Sequence, residues 1–410
     1  MHIRFLGGCR EVGRSALYVD TSLLLDYGVK AGTPNLYPVS RPKPDAVVAS
    51  HGHLDHVGAI PRLMDRLPEV HATAPTHSLA RLLADDTLEI KRRGLWPFSP
   101  EDVLRLSQTA RVHGYEEFEV AGYEAELRDA GHIPGSASVL VDDGDTRLFY
   151  TGDLNTTPTR LCRSAERPPE ADAVVLESTY FGHCHTPRDE LEREFARSVR
   201  ETLYEGGDVV IPAFAIGRTQ EVLMVLHEHD VPCYVDGMGR EVTGILRSHP
   251  EMVRDADALK RAWNHAREVR PGERDRVLGQ GRAVVTTSGM MTGGPVNYYV
   301  RRIHDDPVNK ICLTGYQVAG TPGREAFESK RAEVGGDVLP ISAQVELHDF
   351  SAHADDGGLK EYARHAVDAG ADEFYVVHGD ERETQAFANW IERELDVDAR
   401  APAPGEEVEV

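Results

Sequence analysis

The stretch His51-Gly52-His53-Leu54-Asp55-His56 constrains this chain more than any other. It follows directly on Asp45–Ser50 (DAVVAS), an apolar run that reads as a buried strand. A chain that passes so abruptly from apolar to ligand-type side chains is leaving a sheet for a loop. In extended backbone His51 and His53 point the same way, because side chains alternate. The turn into the following helix then swings Asp55 and His56 toward a neighbouring position. One loop thus offers ligands to two adjacent metals, and imidazole with carboxylate suits Zn²⁺. A lone histidine is ordinarily a packed or exposed structural residue. Three histidines and an aspartate within six positions are not explained that way.

Two metals need further ligands and a bridge. His132 lies in Ala130–Ser136 (AGHIPGS), Asp153 in Thr151-Gly152-Asp153, and His378 in Val377–Asp380 (VHGD). Each stands where an apolar strand runs out, the edge at which a sheet presents active-site groups. Alone, each could equally be a cap or turn residue. With the first loop they complete two sites.

The pattern along the chain supports an α/β organisation. Short strands at Ile3–Leu6, Ser15–Asp20 and Ser22–Asp26 are separated by Gly7-Gly8 and Gly13. A helical pattern is expected from Val57 to Leu67, and paired strands from Ala125 to Asp153 around the turn Asp142-Asp143-Gly144. The middle alternates helices (Arg188–Tyr204, Thr219–His229, Val296–Ile303) with strands (Asp208–Ile211, Pro232–Val235, Arg282–Thr287, Ile311–Leu313). That alternation implies a mostly parallel sheet. The Pro-rich, acidic tail Ala399–Val410 is expected to fray. No GxGxxG follows a strand and no GxxxxGK[ST] occurs, so no nucleotide cofactor is expected.

Composition bounds the setting. The net charge is −23, with 38 Arg against 7 Lys. Such acidity with few lysines resembles proteins of salt-rich cytoplasm, as in halophilic archaea. At about 1 M salt the Debye length is about 3 Å, so the net charge does not exclude a nucleic-acid partner. Five dispersed cysteines without a CxxC pair argue for a reducing, cytoplasmic compartment. No apolar run is long enough for a membrane span.

In order, HxHxDH, GHxxGS and TGD resemble the metallo-β-lactamase fold. Val175–Tyr180 (VLESTY), Phe350–Asp355 (FSAHAD) and Val377-His378-Gly379 are similar to motifs A, B and C of the β-CASP nucleases. Pro212–Glu221, Thr287–Pro295, Thr314–Gln317 and Gly320–Arg324 resemble segments of the inserted β-CASP domain. The resemblance runs from about residue 1 to about residue 395 and is closest to archaeal homologues of the endonuclease subunit of the cleavage and polyadenylation specificity factor. The chain is expected to be the short form, without an N-terminal KH region.

That resemblance implies an αββα sandwich (residues 1–181 and 352–410) interrupted by a β-CASP domain (182–351) with a mostly parallel sheet flanked by helices. It implies two Zn²⁺: one held by His51, His53 and His132, the other by Asp55, His56 and His378, with Asp153 bridging. Asp26 would orient a ligand imidazole. Glu177 would pair with His353, which would face the leaving group, and Asp55 would accept a proton. The implied activity is hydrolysis of single-stranded RNA, by endonuclease action in 3′-end processing, maturation or decay. A 5′→3′ exoribonuclease of the ribonuclease J type and a non-catalytic scaffold are the alternatives. A homodimer is left open. Arg218, Arg324 and the Ser288-Gly289-Met290 turn are candidate RNA-backbone contacts, as are the small basic clusters at Lys91-Arg92-Arg93, Arg301-Arg302 and Lys330-Arg331. For those clusters a solvated face is the simpler reading.

Overall fold

A computed structural model describes residues 1–32, 34–91, 95–270 and 272–410; Arg92 and Arg93 of the first basic cluster lie outside them. The chain divides into two compact units. Unit 1 comprises Met1–Pro158, Arg163–Cys184 and Ala352–Val410; unit 2 comprises Thr159–Cys162 and His185–Ser351.

Unit 1 contains two seven-stranded sheets. The first runs, in spatial order, Glu407–Glu409, His2–Gly7, Ala16–Val19, Leu23–Leu25, Ala46–Val48, Glu69–Thr73 and Ala110–His113. The second runs Asp398–Arg400, Glu373–Val377, Ala173–Glu177, Arg147–Tyr150, Ala137–Asp142, Tyr123–Asp129 and Glu117–Val120. Alternation along the strands sorts side chains into layers. Leu23, Leu25 and Val48 of the first sheet meet Val139, Val141, Leu148 and Val175 of the second in a shared core. Leu24 and Val47 face the opposite way and pack with Ile60, Leu63 and Ala80. Val174, Leu176 and Phe374 do the same against Leu359, Phe387 and Ile391 of the last two helices, Asp356–Asp368 and Glu381–Leu395. The result is helices, sheet, sheet, helices.

Unit 2 is built on a six-stranded sheet, every pairing parallel. Its order is Arg267–Glu268, Cys233–Asp236, Ala283–Thr286, Val209–Pro212, Lys310–Leu313 and Gln344–Leu347. Tyr299 is fully buried in its core and donates to Asp236 (2.8 Å).

Two expectations are corrected. The stretch Val57–Leu67 is not one helix: a single turn, Leu54–Val57, is followed by a 3₁₀ segment, Ile60–Leu63. Gly58 ends the first, and Pro61, which cannot donate, sits in the opening turn of the second. The tail does not fray. Asp398–Arg400 and Glu407–Glu409 are edge strands, and the Met1 amino group donates to Val410 O (2.9 Å). Val408 turns inward between two exposed glutamates, a strand alternation too short to stand out in an acidic tail. Among the described residues no helix is long and apolar enough to cross a membrane.

Where the two sheets of unit 1 meet at one end, His71 and His113 of the first stack with Phe118 of the second. His71 Nδ1 and His113 Nε2 are 3.0 Å apart, a hydrogen bond that needs one ring nitrogen bare. Burial, and then His113, lower the His71 pKa from 6.5 to about 4. The unfolded chain therefore takes up a proton below pH 6.5 that the folded chain refuses, so this site loses stability as pH falls from 6.5 toward 4. We expect the cost of His71→Leu, read by denaturant unfolding, to shrink by about 1–2 kcal/mol between pH 7 and pH 5. A cost independent of pH would show that His71 binds its proton equally in both states.

Candidate active site

The His51–His56 loop stands at the carboxyl end of the strand Ala46–Val48. Leu54–Val57 forms one helical turn with His53 at its N-cap. Gly28 permits the packing: a Cβ there would lie 1.6 Å from Asp55 O. Ser15 N and Tyr27 N donate to Asp55 O and His56 O, both at 2.8 Å, so the loop's main chain is fixed by the first sheet. Second-sheet strands supply the rest. His132 follows Tyr123–Asp129, Asp153 follows Arg147–Tyr150, Glu177 ends Ala173–Glu177, and His378 follows Glu373–Val377.

These residues come together. One donor atom each from His51, His53, His132 and Asp153 lie within 4.8 Å of one another, and so do those of Asp55, His56 and His378. His53 Nδ1 is 3.1 Å from both His51 Nε2 and His132 Nε2. Asp153 Oδ2 lies 3.5 Å from His51 Nε2 and 3.7 Å from His132 Nε2. Its other oxygen, Oδ1, lies 3.2 Å from His56 Nε2 and 3.3 Å from His378 Nδ1. Asp55 Oδ2 is 3.4 Å from His378 Nε2. Asp153 thus faces both groups, one oxygen to each.

Charge is divided between the groups. Burial, reinforced by neighbouring imidazoles, holds His51 and His132 well below the usual histidine range. Burial lowers His53 as well. These rings are neutral, with lone pairs free for a ligand. His56 and His378 are raised: burial opposes their charge, but Asp153 outweighs it, with Asp26 helping at His56 and Asp55 at His378. Burial likewise works against the Asp153 and Asp55 carboxylates, yet the adjacent histidines hold both low.

The cluster fits a metal site. His56 Nε2 and Asp153 Oδ1 are buried and 3.2 Å apart, yet neither has a hydrogen-bond partner. Such orphaned polar atoms are costly unless something binds them. Two ring nitrogens also crowd the single Nδ1 of His53, more than one shared proton can serve.

Beside the cluster, the fully buried Glu177 takes Leu154 N (2.7 Å) on Oε1, Thr179 N (3.2 Å) on Oε2, and His353 Nδ1 at 2.9 Å. His353 Nε2 lies 4.0 Å from Asp153 Oδ2. Burial disfavours the charged His353 ring, but the Glu177 carboxylate outweighs it, and the pKa is raised to about 9. Asp153, Glu177 and His353 also lie within 4.8 Å of one another. Glu177, however, is already committed to two backbone amides and an imidazole.

Asp26 is fully buried and accepts from His56 Nδ1 (2.7 Å). Three partners escaped the sequence reading. Ser50 and Tyr150 both reach Asp26, and the Ala352 carbonyl holds His132 Nδ1 (2.7 Å). Ser50 and Tyr150 could have been suspected, because each abuts a ligand motif; the Ala352 carbonyl carries no side-chain signal.

In unit 2 Arg218 and the Ser288-Gly289-Met290 turn follow the carboxyl ends of Val209–Pro212 and Ala283–Thr286, and Arg324 lies in the helix after Lys310–Leu313, whereas Arg301-Arg302 and Lys330-Arg331 stand at helix ends. Arg218 opens the helix Arg218–Glu228, its Nε 3.8 Å from where a Cβ on Gly315 would lie. Gln317 Nε2 donates to Gly289 O (3.2 Å) and Gly323 N to Met290 O (3.0 Å). Ser288 Oγ pairs with Thr292, and Arg324 with Glu328 one helical turn on. A further ligand-type trio, Cys312, Glu346 and His348, is a salt-bridge network: Glu346 takes Lys310 Nζ (2.8 Å), Ser198 Oγ (2.5 Å) and His348 Nε2 (3.0 Å).

Comparison with known proteins agrees with this architecture. Residues 18–197 match a beta-lactamase superfamily domain, 219–325 a Beta-Casp domain, and 338–402 a Zn-dependent metallo-hydrolase RNA specificity domain. The chain is 34% identical to RNase aCSPSF2 of Saccharolobus solfataricus, over 99% of this chain and 85% of that protein. It is 33% identical to the probable RNase MJ4 of Methanocaldococcus jannaschii over the full length of both. The chain belongs to the metallo-β-lactamase/β-CASP nuclease family. Another family member, transcription termination factor FttA of Thermococcus kodakarensis, is 32% identical over 98% of this chain and 70% of its own length. The fold also matches the crystal structure of a protein of unknown function from Enterococcus faecalis V583 (TM-score 0.60, 11% identity, 100% of this chain and 99% of that one). At that identity the match speaks for the fold alone.

Proposed function

We propose that this chain is a zinc-dependent ribonuclease that hydrolyses phosphodiester bonds of single-stranded RNA with two metal ions. We propose further that it cuts internally, in RNA 3′-end processing, maturation or decay. One observation carries the reading: Asp153 presents separate oxygens to two groups of imidazoles, with the Glu177–His353 pair beside it. His51, His53 and His132 would hold one zinc, Asp55, His56 and His378 the other, and Asp153 both. Four of the donor separations in the first group run from 3.1 to 3.7 Å, close enough for one ion to reach all four side chains. When bound, such a pair of ions polarises a phosphoryl oxygen and acidifies a water.

The chain's own residues handle the protons. Asp55, its carboxylate held low by His378 and His56 against the cost of burial, is available as a proton acceptor. His353, protonated at neutral pH, carries one proton on Nδ1 bound to Glu177 and the other on Nε2, on the side of the cluster. That second proton goes to the departing 3′ oxygen, leaving a 3′-hydroxyl and a 5′-phosphate.

A relative favours a second reading. The RNase J-like protein of Methanocaldococcus jannaschii is 32% identical over 98% of both chains, and 5′→3′ exonuclease action is the alternative it supports. Linear end-labelled and circular single-stranded RNA, incubated in high salt with and without chelator, separate the readings. Internal cleavage requires that circles be opened and that chelator stop the reaction. Circles left intact while linear RNA shortens would give the exonuclease. Zinc-free protein with no cleavage of either would leave a non-catalytic scaffold.

A further inference from the structure

Ser50 is the last residue before the HGHLDH motif, and it is buried. Its backbone N donates to Asp26 Oδ1 and its Oγ to Asp26 Oδ2, both at 2.7 Å. Its carbonyl accepts from Ala137 N (2.8 Å), so the second sheet fixes the main chain here. The side chain is confined too. Gly152 sits opposite with φ +55, and a Cβ on it would lie 2.9 Å from Ser50 Cβ.

Proton counting then fixes the orientation of two rings. The Asp26 carboxylate offers only lone pairs, so the single Ser50 hydroxyl proton goes to it. The Ser50 oxygen is left as an acceptor, and His51 Nδ1 stands 3.1 Å away. His51 therefore carries its proton on Nδ1 and presents a bare Nε2 to His53 and Asp153. On the same Asp26 oxygen, His56 Nδ1 donates at 2.7 Å, which turns His56 Nε2 toward Asp153 Oδ1. Tyr150 Oη donates to that oxygen as well (2.7 Å) and helps keep the carboxylate from turning. His51 belongs to one donor group and His56 to the other. Their ring centroids are 4.0 Å apart.

Resting on the two-metal reading above, we propose that Ser50 is a positioning residue shared by both metal groups. Its hydroxyl carries the hold of Asp26 across to His51, while Asp26 itself holds His56. One buried carboxylate thereby orients a ligand in each group. Partners in this outer position are worth about 10- to 100-fold in metal affinity.

The test compares wild type, Ser50→Ala and Tyr150→Phe by zinc release to a graded chelator and by thermal unfolding with and without zinc. Ser50→Ala is expected to release zinc at about 10- to 100-fold lower chelator strength. The rise in Tm that zinc produces should shrink accordingly. Tyr150→Phe leaves the Ser50–His51 contact intact and should fall between that variant and wild type. If Ser50→Ala lowers both Tm values equally and releases zinc as wild type does, Ser50 is merely structural and the proposal fails. A Ser50→Ala chain with no cooperative transition even without zinc counts against it in the same way. Wild-type protein that takes up no zinc would instead overturn the two-metal reading and this inference with it.

Discussion

Asp153→Ala is expected to lose both zinc ions and to cut RNA cleavage by at least about a thousandfold. The carboxylate is buried, and it faces both clusters: Oδ2 toward His51 and His132, Oδ1 toward His56 and His378. On the two-metal proposal, removing it takes a ligand from each group at once, and it strips a buried negative charge from two histidines that depend on it. Charge stabilisation of several kcal/mol goes with the metals, and each 1.4 kcal/mol or so is tenfold in rate. Asp153→Asn keeps the shape but replaces an anionic oxygen with an amide, and it should fail similarly. Metal analysis and single-turnover cleavage check both variants. Full zinc content with full activity in either would dissolve the shared-carboxylate arrangement.

How much of this was legible before the fold was known differs from residue to residue. His51, His53, Asp55 and His56 announce themselves, because four ligand-type side chains after an apolar strand have no bland explanation. His132, Asp153 and His378 are weaker signals individually. Each is a polar residue at the end of an apolar run, and only a fold that brings those ends together gives them meaning. Their convergence depends on pairings between distant strands, such as Ala173–Glu177 with Glu373–Val377, which local sequence does not encode. The paired strands from Ala125 to Asp153 were readable around their turn, but the faces on which they pack were not, because Ala137–Asp142 is largely apolar and buried on both sides. The helix Ala74–Ile90 was not, because several of its buried positions (Ala80, Ala84, Thr76) are small or polar and leave a faint stripe. The tail was misread for a related reason. Glu407–Glu409 becomes a strand only because His2–Gly7 offers a free edge.

His353→Ala carries the second large effect, and its outcome should be the opposite of Asp153→Ala for the metals. Zinc should stay, while RNA cleavage falls by about 10²- to 10⁴-fold, the range for losing a general acid. The contact pattern supports the split. Nδ1 of His353 is committed to Glu177, and Nε2 stands 4.0 Å from Asp153, outside the tight spacings of the two donor groups. Loss of zinc in His353→Ala would make the histidine a ligand and remove it as the acid. A phosphodiester with a nitrophenolate leaving group needs no proton on departure, so the same variant should cleave it nearly as well as wild type does. Glu177→Gln adds a sign test. Glu177 raises the His353 pKa against the cost of burial, so its loss lowers that pKa from about 9. A group that must be protonated to act fails as pH rises through its pKa. The alkaline limb of the RNA cleavage profile should therefore move to lower pH in Glu177→Gln, while the nitrophenyl substrate shows no such movement. An alkaline limb that stays in place for RNA would mean that another group delivers the proton.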